Sequence, residues 1–217
     1  MAQKIVWDAT AARLYEAGID RVVLYVIDSN GAYPLGAAWN GVKSITEKPS
    51  GAEPKPQYAD NTKYLTLMSL EEFGIGIEAF TYPKEFGVCD GSVEALAGLQ
   101  MGQQSRKIFG LSYRTLLGND VSPDLGYKLH LIYGCLASPS EKAFNTVSDS
   151  PETTSFSWSV TTTPVAVATY KPVSSIVIDS TTVSGAKLTA FEVILYGVTP
   201  STNGRLPLPA EVITLLT

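Results

Sequence analysis

The chain has 217 residues, of which 45% are hydrophobic and only 17% are charged, and its net charge is −5 at pH 7. This length is enough for one domain with a substantial core, and we predict a single domain over residues 1–217. The chain has no cluster of Lys and Arg to hold nucleic-acid phosphates, which argues against a role in binding DNA or RNA. So low a charged content predicts surface that becomes covered by other copies of the chain.

Two features bear on the cellular compartment. No run of 18 apolar residues is present, so no membrane-spanning helix is predicted. Residues 1–10 are charged and polar where a signal peptide would be apolar, so we expect the protein to fold in the cytoplasm of the cell that makes it. In that reducing compartment Cys89 and Cys135 are expected to be small buried side chains rather than a disulfide.

The first predicted elements are three strands joined by two tight turns. Residues 21–28 form a short run of β-branched and aromatic residues, which favours a strand. Asn-Gly pairs follow at 30–31 and again at 40–41, on either side of residues 33–39. Because Asn-Gly adopts positive φ easily, both pairs predict hairpin turns, and the second leads into a third strand over residues 42–47.

Residues 48–62 interrupt the strand pattern. Pro49, Pro54 and Pro56 each remove a backbone donor, and Ser50-Gly51 adds flexibility, so we predict a long loop. Ordered loops of this length are usually functional, because holding them costs entropy.

Further strands are predicted where apolar residues alternate with others or β-branched residues cluster. In residues 73–82, Ile75, Ile77 and Ala79 recur with period two, which predicts one buried face. The other predicted strands are residues 63–69, 106–117, 127–137, 153–167 and 175–179, with an irregular segment at 83–102, holding at most one helical turn, and a polar loop at 138–151.

Two helices are predicted near the end of the chain. In residues 186–196 the apolar side chains of Leu188, Phe191 and Leu195 fall on one helical face, which predicts a helix that packs on the sheet. Ser184 is its expected cap and Gly197 its expected end. A short C-terminal helix is predicted over residues 209–216, with proline in its first turn.

The residue types needed for catalysis are scarce. His130 is the only histidine and lies within a predicted strand, and Ser112 lacks the second glycine of a nucleophile elbow. Two cysteines and one histidine do not complete a zinc site. Glu71 and Glu72 are adjacent at a turn and predict a solvated corner. The sequence therefore predicts no catalytic residue, no metal and no cofactor.

Short strings along almost the whole chain resemble the major tail protein family of siphophages, the bacteriophages with long non-contractile tails. Their order and spacing carry the resemblance more than any one of them does. The strings are AWNGV (38–42), PSGAEP (49–54), YADN (58–61), EFG (72–74), EAFTYP (78–83), CDG (89–91), GQQSRK (102–107), FGLSYRT (109–115), GYK (126–128), YG (133–134), ASPSE (137–141), FSW (156–158), TTTP (161–164) and RLPLP (205–209).

This resemblance implies a mainly β, tail-tube-like β-sandwich or partly rolled barrel with one flanking α-helix and a short C-terminal helix. Six copies would form a ring, and stacked rings would form the tube in the virion tail through which DNA passes without specific binding. Other implied partners are the tape measure protein and the tail terminator and tip proteins. The loop over 48–62 would reach the next ring, through Pro49, Ser50, Gly51, Ala52, Glu53, Pro54 and Tyr58. Candidate lumen or inter-ring charges are Glu71, Glu72, Glu78 and Asp90.

Three alternatives stay open from the sequence alone. The chain could be the tube protein of a related contractile injection device or gene-transfer particle. A monomeric β-sandwich binding module, for carbohydrate for example, would instead show an aromatic platform on one face. An enzyme is the third alternative, and the shortage of titratable clusters counts against it.

Overall fold

The computed structural model describes residues 4–144, 146 and 153–217. Over these residues the chain is mainly β with two α-helices, so the predicted fold class is confirmed. The strands are β1 (Tyr15–Val26), β2 (Gly36–Ala38), β3 (Val42–Glu47), β4 (Ser50–Gly51), β5 (Pro54–Ala59), β6 (Thr62–Met68), β7 (Glu71–Glu72), β8 (Gly74–Ala79), β9 (Val93–Leu96), β10 (Leu99–Met101), β11 (Phe109–Gly118), β12 (Gly126–Ala137), β13 (Phe156–Thr162), β14 (Val165–Val167), β15 (Tyr170–Val173), β16 (Ser175–Asp179), β17 (Gly197–Val198) and β18 (Thr202–Asn203). The helices are α1 (Gly185–Tyr196) and α2 (Pro209–Leu216), and Lys84–Phe86 forms one 3₁₀ turn.

Eight antiparallel strands form the main sheet, in the order β2-β1-β11-β12-β13-β8-β3, with β16 also paired to β12. On one side, the long strand β12 pairs with two different strands. Its residues 128–132 pair with β16, and its residues 135–137 pair with β13. The sheet therefore branches at β12, which makes this strand the centre of the fold.

The main sheet is partly rolled. Strands β2 and β3 lie at opposite ends of its order, yet only residues 39–41 connect them. Because each residue step spans about 3.8 Å at most, this connection cannot exceed about 15 Å, and the two ends must lie close together. Across the inside of the roll, Tyr113 on β11 donates a hydrogen bond of 2.8 Å to Glu47 on β3. In the described residues no ladder joins β2 to β3, so the sheet does not close.

This rolling corrects the predicted run of three consecutive hairpin strands. The first turn does lead from β1 into β2, and these strands pair. The second turn does not return the chain along β2; it carries it across the opening of the roll, and β3 pairs with β8 instead. The reason is that Val42 and Ile45 of β3, which are partly buried, pack against the core that the rolled sheet encloses.

The two faces of the sheet build two separate cores. Inside the roll, Trp158 packs against Trp39 and Phe86, with ring centroids 5.6 and 5.1 Å apart. Both cysteines belong to this inner core and are free, as expected of buried side chains. The predicted alternation of β8 is confirmed, because Ile75, Ile77 and Ala79 are fully buried there. Other fully buried aliphatic side chains of the inner core are Leu24, Leu111, Ile132 and Ala137.

The outer core lies between the sheet and the two helices, whose predicted positions are confirmed. Leu188, Phe191 and Leu195 are 5%, 1% and 0% exposed and pack with residues from β1, β12 and β16. Buried tyrosines link the sheet to this outer layer by hydrogen bonds. Tyr25 on β1 donates to the Leu195 carbonyl of α1 at 2.9 Å. Tyr133 donates in the same way to the Pro207 carbonyl at 2.9 Å.

Of the two predicted ends of α1, one is confirmed in full and the other only in position. Gly197 ends the helix with φ +78, as predicted. Ser184 occupies the cap position, but its side chain makes no capping hydrogen bond.

Two other segments also differ from prediction. Residues 153–167 divide at Pro164 into β13 and β14, and residues 83–102 contain the hairpin β9–β10 after the 3₁₀ turn. The predicted loop at 138–151 lies partly outside the described residues.

Gly134 marks the point where β12 passes from one neighbour to the other. Its φ is +62, and a Cβ at this position would overlap the carbonyl oxygen of Thr163. We expect Gly134→Ala to destabilise the subunit by at least about 1–3 kcal/mol, the usual cost of a strained backbone conformation. Gly185→Ala is the control, because a Cβ there meets nothing within 4 Å. Urea unfolding curves that coincide for the two variants would contradict this expectation.

Candidate functional site

The segment predicted as a long loop is part of a projecting β-hairpin, which we call the arm (residues 50–72). At its base β4 pairs with β7, and beyond the base β5 pairs with β6. The prediction of a loop over 48–62 is therefore wrong. All seven of its singled-out residues do lie in the arm or next to it: Pro49, Ser50, Gly51, Ala52, Glu53, Pro54 and Tyr58.

The prolines that suggested a loop are compatible with this hairpin. A two-stranded ribbon leaves one edge of each strand unpaired, so a missing N–H at Pro54 or Pro56 can face solvent without loss. The turn at Asp60-Asn61 has φ values of +50 and +59, the positive values that a tight hairpin turn of type I′ needs. Asn and Asp tolerate this conformation better than most residues, so the local sequence does encode the turn.

The arm exposes an unusual amount of apolar surface. Every residue of β5 and β6 is exposed, including Tyr58 at 71%, Tyr64 at 72%, and Leu67 and Met68 at 58% and 70%. Leu70, near the base, is 90% exposed. An isolated two-stranded hairpin is marginally stable in water, and contiguous exposed apolar side chains mark interaction surfaces. The arm is thus the strongest candidate for a contact surface in the described part of the chain.

The opening of the rolled sheet is a second candidate surface. A cleft of about 460 Å³ lies there, lined by residues 19–23, residues 38–42 and Tyr196. On one side β1 has register shifts after Ala17 and after Asp20, where Gly18 and Arg21 have φ of +73 and +48. On the other side β3 is the last strand of the sheet. Bulges and unpaired strands of this kind are typical of sheet edges, which can pair with another chain.

The four predicted acidic residues do not form one group. Glu71 and Glu72 lie in β7 at the base of the arm, and both are exposed as a solvated corner should be. Glu78 lies farther along the chain in β8, where it accepts hydrogen bonds from Lys43 at 2.7 Å and Ser155 at 2.9 Å. The bond from Lys43 is the main reason why the pKa of Glu78 is lowered.

Asp90 does not serve as a free surface charge, which corrects its assignment as a lumen or inter-ring charge. Its side chain is only 8% exposed and lies 3.4 Å from Arg106, with Lys142 as a second ion-pair partner. Arg106 also donates to the Ala137 carbonyl at 3.1 Å, which joins this ion pair to the end of β12. Since two cations neutralise it, Asp90 holds local structure together. Glu71 and Glu72 remain as the exposed, unpaired acids of the predicted set among the described residues.

The described residues include no group of three His, Cys, Asp or Glu side chains that could hold a metal ion. Burial raises the pKa of the Cys89 thiol to about 12 and also raises that of Cys135, so both thiols stay protonated at neutral pH. No helix in the described part of the chain is long and apolar enough to cross a membrane.

One apolar projection lies in the segment predicted to be irregular. Strands β9 and β10 form a short hairpin in which Leu96, Leu99 and Met101 are 69%, 50% and 55% exposed. The local sequence feature that indicates this hairpin is Gly98, which lies at the turn with a φ of +83. The flanking residues show little alternation between apolar and polar types, so they do not by themselves predict strands. The hairpin adds a further apolar surface to that of the arm.

Comparison with known proteins gives no match from which a function could be inferred, so the proposed function rests on the sequence and the geometry. No family model matches the chain. A search of the curated proteins also finds no match.

Proposed function

We propose that the chain is a structural subunit of a bacteriophage tail tube, in which six copies form a ring and stacked rings form a conduit for DNA. In this proposal it catalyses no reaction and needs no cofactor. It is made in the cytoplasm of the bacterial host and ends in the tail of the virion. The tape measure protein and the tail terminator and tip proteins are its other partners.

The observation that carries the proposal is the arm. A hairpin whose two strands are exposed throughout, with Tyr58, Leu67, Met68 and Leu70 open to water, has no use in a free monomer. Burying apolar area of this kind is the main driving force of protein association. A neighbouring copy supplies such a cover in a repeating tube, where each arm meets the same surface of the next subunit.

The open sheet supports the same proposal. Strands with free edges invite uncontrolled pairing, and closed assembly is one way to remove those edges. In a ring, the edge of β3 in one subunit can pair with an edge of its neighbour. The low charged content of 17% agrees with a surface that is largely covered after assembly.

The charge of the chain suits a DNA conduit. A channel that held phosphates would stall the passing DNA, whereas each subunit here carries a net charge of −5. The two exposed acids at the arm base, Glu71 and Glu72, are our remaining candidates for charge that faces the lumen or the next ring.

The test of the proposal is negative-stain electron microscopy of the purified protein as its concentration is raised. We expect rings and then tubes. A protein that stays a monodisperse monomer at every concentration would instead support the binding-module alternative, and turnover of a substrate would support an enzyme.

Reversing the charge of the arm base should affect DNA passage. We expect Glu71→Lys with Glu72→Lys to retain DNA in reconstituted particles at low salt and to release it as salt rises. Each phosphate that a new lysine neutralises should add about 0.9 to the slope of log affinity against log salt. Glu85→Lys is the control, because Glu85 is an exposed acid outside the arm. DNA ejection equal to wild type at every salt concentration would remove these two residues from the channel.

A further inference from the structure

A polar network crosses the inside of the rolled sheet and centres on His130. The His130 ring stacks on Tyr113, with centroids 4.6 Å apart and planes 5° from parallel. Its Nε2 lies 3.0 Å from the hydroxyl of Thr115. Its Nδ1 is buried, has no hydrogen-bond partner among the described residues, and lies 3.4 Å from the Glu47 carboxylate. Glu47 stands on β3, so the network joins the last strand of the sheet to β11 and β12.

The number of protons in this network depends on the charge of His130. The Thr115 hydroxyl has one proton and also lies 3.2 Å from Glu16, to which it donates. If neutral His130 donates from Nε2 to Thr115, its Nδ1 lone pair faces the Glu47 carboxylate. If it donates from Nδ1 instead, Thr115 must donate back to Nε2, and Glu16 loses that bond. The imidazolium alone has the two N–H groups that satisfy Glu47 and Thr115 together.

The surrounding charges decide when His130 takes that proton. Glu47 faces it from β3 and Glu16 from β1, while Lys128 lies on its own strand and pairs with Glu16. Asp179, on β16, acts on Lys128 from the other side. Burial is the largest effect and lowers the pKa of His130, whereas Glu47 and Glu16 oppose it. His130 is therefore neutral at pH 7 and takes a proton from solvent only on acidification.

We propose that this network is a proton-controlled switch in the contact between β3 and the centre of the sheet, in which the protonation of His130 decides whether its imidazole donates a hydrogen bond to Glu47. At neutral pH the contact between Glu47 and the imidazole is incomplete, and Tyr113 is the main hydrogen-bond partner of Glu47. On acidification the imidazolium donates to Glu47 and Thr115 together, and a charged pair joins the end of β3 to β12; because burying the charge outweighs the attraction of Glu47 and Glu16, forming this pair lowers the stability of the fold. This inference does not rest on the proposed tail function, because every part of the switch lies within one subunit.

The only histidine makes the switch directly measurable. In protein prepared without a histidine tag, His130 gives the single imidazole signal in an NMR titration. We expect its midpoint to lie below the ordinary value of about 6.5 and to move lower still in Glu47→Gln, which removes the favourable charge. We expect the Ile45 and Thr46 amide signals, next to Glu47, to shift with the same midpoint. Ile45 and Thr46 amide signals that do not follow the His130 midpoint, or a midpoint that Glu47→Gln leaves unchanged, would overturn the proposal.

Thermal unfolding gives a second readout. The folded pKa of His130 lies below its unfolded value, so its contribution to stability is present above the unfolded pKa and is lost as pH falls toward the folded pKa. We expect the melting temperature of the wild type to fall between pH 7 and pH 5 more than that of His130→Gln, which keeps a hydrogen-bonding side chain but takes no proton. Equal pH dependence in the two proteins would show that His130 is not the sensor.

Discussion

Subunits in which Leu67 and Met68 are both replaced by serine should fold normally and fail to polymerise. The two residues are neighbours on β6, so they point to opposite faces of the arm, and they are 58% and 70% exposed. Exposed substitutions usually change the free energy of unfolding by less than about 0.5 kcal/mol. Burying each side chain between subunits is worth about 1.5–3 kcal/mol, so the concentration needed for polymerisation should rise about 100-fold or more.

The control for this experiment is Tyr170→Ser. Tyr170 is 67% exposed but lies on β15, which is not part of the arm, so its loss tests whether any exposed apolar residue has the same effect. Sedimentation velocity and negative-stain microscopy would follow assembly, and circular dichroism would confirm the fold. If the arm variant forms tubes at the wild-type concentration, the arm is a tolerated insertion and the proposed function loses its main support.

The elements set by local pattern were predictable from the sequence. Alternation identified β8 and its buried face, and the spacing of Leu188, Phe191 and Leu195 identified α1 and its packing side. Both signals are read within about ten residues, because one face of each element is buried and the other is not. The pair β11 and β12 was predictable for the same reason.

Features set by long-range pairing were not predictable. Proline content suggested a loop at 48–62, but a partner strand that follows in the chain turns this segment into a hairpin. Nothing near Asn40-Gly41 shows that the chain crosses the opening of the roll rather than folding back. Likewise, the contact of Tyr113 with Glu47 joins residues 66 positions apart, and no local pattern encodes it. The charge of Asp90 was misjudged because its partners Arg106 and Lys142 are also distant in sequence.

The outer core should depend strongly on one side chain of α1. Phe191 is 1% exposed and packs with residues of β1 and β12. Truncating it to alanine removes a buried ring and leaves a cavity, so we expect Phe191→Ala to cost about 3–5 kcal/mol. For a chain of this size, that loss lowers the melting temperature by about 6–20 °C. Because domains are stable by only about 5–15 kcal/mol, the variant should also assemble poorly.

Val193→Ala provides the matched control on the same helix. Val193 is 42% exposed, and alanine is the better helix former, so this variant should melt within a few degrees of the wild type. Urea unfolding of both variants separates the loss of packing from any general weakening of α1. If Phe191→Ala melts like Val193→Ala, then α1 does not anchor the outer core, and assembly rather than the helix must hold that layer in place. If Phe191→Ala alone is weakened, its failure to assemble follows from lost stability and leaves the role of the arm untouched.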